Sequence, residues 1–139
     1  MKNKKSTKGS GRRVRRFARR NRPALHLAFH RNKSINVRQL AERFAIPQDI
    51  LSRLSGFSLR AVAEWVSGKA PSAPAKKVFA EMDRLLDALA RLMQPKEVGQ
   101  WLKQPNQALD GSTPVQVIER GQTDRIWRML YHAESGEPG

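Results

Sequence analysis

Apolar residues return at three- and four-residue intervals along most of the chain, and proline, glycine and serine separate the runs. Val37, Leu40, Ala41 and Phe44 trace one helical face, started by an Asn36/Gln39 capping box and closed by Pro47. Pro47 also suits the first position of a next helix, and Ser58 is placed to cap a later one. Pro71-Ser72-Ala73-Pro74 reads as a break. The longest helix is then predicted over residues 75–93, with Val78, Met82, Leu85, Leu89 and Leu92 in one stripe broadened by Phe79 and Leu86. That stripe is wide enough to pack the preceding helices and also to join a second module or serve a homodimer.

Pro95 opens a helix of one to two turns through Val98, Trp101 and Leu102. Pro105 ends it, Asn106 and Asp110-Gly111 are turn formers, and Thr113, Pro114 and Gln116 spell the next helix start: hydroxyl cap, proline at the first position, glutamine three after the cap. Val115, Val117 and Ile118 make that helix short, since Gly121 stops it. A last helix begins at Gln122 or Thr123, with Ile126, Trp127, Leu130 and Tyr131 on its apolar side. Trp127 and Tyr131 sit one turn apart. They are equally suited to anchoring an interface and to burial against Trp101.

Composition changes this picture in one place. Residues 1–33 hold 13 of the 27 Lys/Arg and none of the 12 Asp/Glu, so nearly all of the net charge of +15 belongs to an arm. The arm is expected to be disordered and to attract nucleic-acid phosphates through Arg12, Arg13, Arg15, Arg16, Arg19 and Arg20. Pro23 opens a possible short helix through Phe29. His26 and His30 share a face of it, but no third ligand lies near before Glu42, and no metal site is expected. The chain has no cysteine, no apolar run of membrane-spanning length and no signal-peptide segment, which fits a cytoplasmic protein that does not engage a membrane. It has no phosphate loop, nucleophile elbow or His/carboxylate metal motif. A binding protein is expected, not an enzyme, and without a cofactor.

Trp101, Leu102, Pro105, Asn106, Leu109, Gly111, Thr113, Pro114, Gly121 and Leu130 together resemble the WL…PN..L.G.TP motif of the toxin-binding domain of Xre/MbcA/ParS antitoxins. Residues 48–69 resemble the helix-turn-helix of Xre/Cro-type repressors, with Ser55 where an aliphatic residue is usual. That resemblance implies a helix at about 47–54, a turn on Ser55-Gly56-Phe57 and a recognition helix over 58–67, with Leu51, Leu54, Phe57, Val62 and Trp65 where the motif buries apolar residues and Gly56 where its turn needs a positive φ. The resemblance implies an all-α protein: a small helical bundle with a helix-turn-helix, then a C-terminal helical toxin-binding module. The expected division is an arm (residues 1–33), a helix-turn-helix domain with the long connecting helix (34–93) and the toxin-binding module (94–139).

Members of this family neutralise RES-domain toxins, which consume NAD⁺, and commonly repress their own operon. The implied partners are therefore a cognate RES-domain toxin, operator DNA and a second copy of the chain. Arg125, Trp127, Arg128, Tyr131 and His132 are the candidate toxin contacts. Trp101, Pro105, Asn106, Gly111, Thr113, Pro114 and Gly121 are expected to shape the module. Ser58, Arg60, Ser67 and Lys69 are the candidate DNA contacts outside the arm. Of the exposed face Leu59, Arg60, Ala63, Glu64 and Ser67, Arg60 alone suits a bidentate guanine contact, and Glu64 repels phosphate unless it accepts from cytosine. A sequence-tolerant nucleic-acid-binding protein driven by the arm, with no toxin partner, is the alternative. A third possibility is a toxin-binding module whose helix-turn-helix no longer reads DNA.

Overall fold

The computed structural model of the protein describes residues 35–136, and among these it is all-α, as expected, with seven α-helices, one 3₁₀ turn and no strand. The arm and the short helix expected after Pro23 lie outside the described residues. In chain order the elements are α1 (Val37–Phe44), α2 (Gln48–Ser55), α3 (Leu59–Val66), α4 (Ala73–Leu89), α5 (Pro95–Leu102), a 3₁₀ turn (Gln107–Leu109), α6 (Pro114–Glu119) and α7 (Thr123–Ser135).

The helix starts follow the cap chemistry. Asn36 Oδ1 accepts from the Gln39 N–H at 2.9 Å, which is one half of the expected box. Ser58 accepts from Ala61 N, and Gly56 closes α2 at φ 80°. The end of α1 differs from expectation: Ala45, not Pro47, terminates it, in the left-handed region at φ 55°. The Ile46 N–H then reaches back to the Ala41 carbonyl at 2.9 Å.

The long helix is displaced. Ser72, read as part of a break, caps it by accepting from Ala75 N, so α4 begins at Ala73 and ends at Leu89. Leu92 falls in the turn beyond and is 45% exposed, not part of the stripe. Val78 is half-buried, and the buried face is Ala75, Phe79, Met82, Leu85, Leu86, Ala88 and Leu89. With that face α4 packs against α1, α2, α5 and α7. One cluster of buried residues runs from Val37 to Leu130. Each fully buried large side chain in it, such as Phe44, Phe79 or Ile126, contributes about 1.5–3 kcal/mol through the water it sheds. On the face of α5, Gly99 admits the end of α1: a Cβ there would stand 2.2 Å from the Ala45 carbonyl oxygen.

Candidate functional site

The segment between α5 and α6 is organised by Asn106. Its side-chain oxygen accepts from Ala108 N at 2.9 Å, its carbonyl accepts from Leu109 N and Gly111 N, and its own N–H donates to the Ser112 carbonyl at 3.0 Å. Asp110 and Gly111 take φ 58° and 83°, so both residues of that pair adopt the left-handed region. Thr113 and Gln116 then form a reciprocal box: Thr113 Oγ1 accepts from Gln116 N at 3.1 Å and Gln116 Oε1 accepts from Thr113 N at 2.8 Å. Pro114 occupies the first turn of α6, and Gly121 ends the segment at φ 76°. Trp101 is half-buried against the core, and Pro105 is exposed.

This segment aims α7. Only Ile126 and Leu130 of that helix are buried. Trp127 is 40% and Tyr131 64% exposed, so of the two arrangements open to these rings the fold leaves both outside the buried face of α7. Beside Trp127 opens a groove of about 340 Å³, lined by Leu54, Met82, Leu85, Leu86, Leu102 and Ile118, with the charged residues Glu81, Arg84 and Asp124. The signal for this groove in the sequence was the breadth of the α4 stripe. Arg128 pairs with Asp124 one turn back on α7, at 2.9 Å. Arg125 is partly buried and donates to Asp110 at 2.9 Å, which ties α7 to the turn before α6. His132 is half-buried and lies against the Tyr131 ring, 5.7 Å between centroids.

Three ion pairs brace this region and the elements beneath it. Arg53 on α2 grips Glu119 on α6 through two bonds of 2.8 and 2.7 Å. Arg91 donates to Glu134 of α7 at 2.7 Å, and Arg43 of α1 pairs with Asp87 of α4. The hydrogen bonds from Arg53 and Arg91 hold the carboxyls of Glu119 and Glu134 below their ordinary values.

The α2–α3 hairpin is tight. Ser52 Oγ donates to the Phe57 carbonyl at 2.6 Å, and Ser55 Oγ accepts from Phe57 N at 3.2 Å. Serine at position 55 therefore serves the turn itself. Phe57 and Trp65 meet edge to face at 5.3 Å, and Trp65 meets Phe79 of α4 at 5.8 Å.

On the outer side, Leu59 is 52% exposed and Arg60 is exposed as well. Glu64 sits between two cations, with Arg60 Nε at 3.9 Å and Lys69 Nζ at 3.8 Å. The hydroxyls of the other two candidate DNA contacts serve the backbone: Ser58 caps α3, and Ser67 Oγ donates to the Glu64 carbonyl at 2.7 Å. Arg12, Arg13, Arg15, Arg16, Arg19 and Arg20 lie outside the described residues.

Among the described residues no three His, Asp or Glu side chains are grouped to hold a metal, and no helix is long and apolar enough to cross a membrane. What fold and site define is a small all-α module with a tightly capped turn that presents an exposed aromatic helix.

The comparisons with known proteins point the same way, though no family model matches the chain. It is similar to the mycobacterial cidal antitoxin MbcA of Mycobacterium tuberculosis and Mycobacterium bovis, with 24% identity over 90 residues, covering 64% of this chain and 80% of the relative. It also superposes on a chain in the crystal structure of the M. tuberculosis MbcT–MbcA toxin–antitoxin complex. There the TM-score is 0.59 at 24% identity, and the match covers 73% of this chain and 92% of the other. The resemblance to MbcA-type antitoxins is thereby borne out.

Proposed function

We propose that this protein is the antitoxin of a toxin–antitoxin pair, that it neutralises a RES-domain, NAD⁺-consuming toxin by direct binding, and that it represses its own operon. The observation that carries the first part is the outer face of α7: Trp127 and Tyr131 are large, exposed and a turn apart, next to an apolar groove, on a chain similar to MbcA. Rigid aromatics beside a preformed pocket are the usual anchors of a protein interface. Trp127, Arg128, Tyr131 and His132 make the contact in this reading, while Arg125 and the motif residues position the helix. Action is by binding and not by catalysis.

The operon-binding part rests on α3 and the arm. In this reading residues 34–93 face DNA and residues 94–139 face the toxin. Arg60 is the exposed residue suited to a guanine edge, and the arm supplies most of the phosphate contacts.

The test is co-expression with the RES-domain product of an adjacent gene. The intact chain protects cells and co-purifies with the toxin, and the double variant W127A/Y131A does neither while remaining folded. Full protection by that variant overturns the assignment of the face. Failure of the intact chain to bind any such toxin overturns the antitoxin reading.

A further inference from the structure

We infer that Lys76 and Lys77, in the first turns of α4, form with Lys69 a phosphate-contacting track that continues the DNA face of α3 onto the next helix. This rests on the reading of α3 as a DNA-binding element and extends it to residues outside that element.

Up to Lys69 every cation of the described chain is paired. Arg38, Arg43, Arg53, Arg60 and Lys69 each have a carboxylate at ion-pair distance. The next two cations, Lys76 and Lys77, are exposed and have none among the described residues. They do nothing for their own helix either. α4 carries no acidic residue in its first turn, and cations near a helix start oppose its dipole. The bare helix end is not the ligand-binding group: Ser72 already accepts from Ala75 N, and Pro74 has no N–H to offer. The ammonium groups would make the contact.

Placement supports the same partner. Trp65 on α3 is locked edge to face against Phe79, two residues beyond Lys77, so the last turn of α3 is fixed to the second turn of α4. Lys69 folds back on Glu64 at the same corner. Lysine is a compact point charge on a flexible stem, suited to the backbone of a duplex and indifferent to base sequence. Glu64 weakens phosphate binding on α3 itself, which favours the lysines just beyond it over α3 as phosphate contacts.

The experiment is a salt titration of duplex affinity with the full chain, by fluorescence anisotropy, on the duplex upstream of its own gene and on a scrambled one. K76Q/K77Q is compared with wild type and with K96Q/K103Q, which removes two exposed lysines from α5 and the turn after it. Each lost duplex phosphate contact lowers the slope of log K against log salt by about 0.9, so K76Q/K77Q is expected to flatten it by about 1–2 on both duplexes. K96Q/K103Q leaves the slope unchanged, and K76Q/K77Q keeps the wild-type melting temperature or raises it. An unchanged slope in K76Q/K77Q, or an equal loss in the control pair, overturns the inference and leaves the DNA reading standing. The same lysine dependence on single-stranded RNA at equal affinity overturns the assignment to duplex. No duplex binding by wild type overturns both readings together.

Discussion

Gly99 of α5 lies against the carbonyl of Ala45, at a separation that leaves no room for a side chain. Ala45 itself holds φ 55° without being glycine, as the left-handed cap that ends α1. Backbone meets backbone here, so neither side can yield by rotating a torsion. G99A should destabilise the fold by about 1–3 kcal/mol, the range for overfilling a packed site. A45G should act the other way, gaining about 1 kcal/mol by removing the left-handed strain. Urea denaturation of both variants checks the pair, and a neutral G99A would contradict the close approach.

The turn ahead of α6 offers a test of cap energetics. T113A loses the hydroxyl that accepts from Gln116 N, and N106A loses the acceptor for Ala108 N. Each should cost about 1 kcal/mol in the same denaturation measurement. Because this turn sets the entry of α7, N106A should also weaken toxin capture, although Asn106 touches no partner in the proposed mode. Unaltered capture would mean that α7 is positioned from elsewhere.

Acid should reveal the Arg53–Glu119 link. Glu119 has a lower pKa folded than unfolded, because Arg53 hydrogen-bonds its charged form. The stabilisation is complete above the unfolded value of 4.5 and is lost as the pH falls through the lower folded one. Both side chains are more than one third exposed, and solvent screening limits the pair to about 0.5–1 kcal/mol. Wild type should therefore exceed E119Q by that margin at pH 7, and the two stabilities should converge in acid. A gap that persists in acid would rule out the ion pair as its source.

Trp127 and Tyr131 separate binding from folding. Y131A should change the stability of the free protein by less than about 0.5 kcal/mol, since its ring is 64% exposed, and W127A by somewhat more, since Trp127 also lines the groove. Affinity for the cognate toxin should drop by about 30-fold or more for W127A, which borders the groove. Calorimetry on the purified pair measures it, and a loss of stability without a loss of affinity would return the ring to a core role.

What could be read from the sequence was what depends on neighbours in the chain. Ser58, Thr113 with Gln116, Pro114 and Gly121 announce helix starts and stops because a cap is a bond between residues two or three apart. Ala45 announces nothing, because an alanine carries none of the left-handed preference by which a glycine marks a helix end. Ser72 was legible in principle as a cap ahead of Pro74, but the prolines around it suggest a break, and this shifted the phase assigned to α4. Leu92 looks like a stripe residue until the helix is known to end at Leu89. The periodicity of α7 marked Trp127 and Tyr131 as apolar without telling which apolar residues face inward, since a helix with two apolar flanks can roll either one toward its core.

Ile126 and Leu130 belong to the same buried cluster as Val37 and Leu40. A protease that clipped the last helix would therefore take more than a docking face: it would strip a wall from the interior and loosen α1 at the other end of the described chain. Degradation begun at that helix would silence both proposed activities in one event, with no surviving fragment left to hold the promoter.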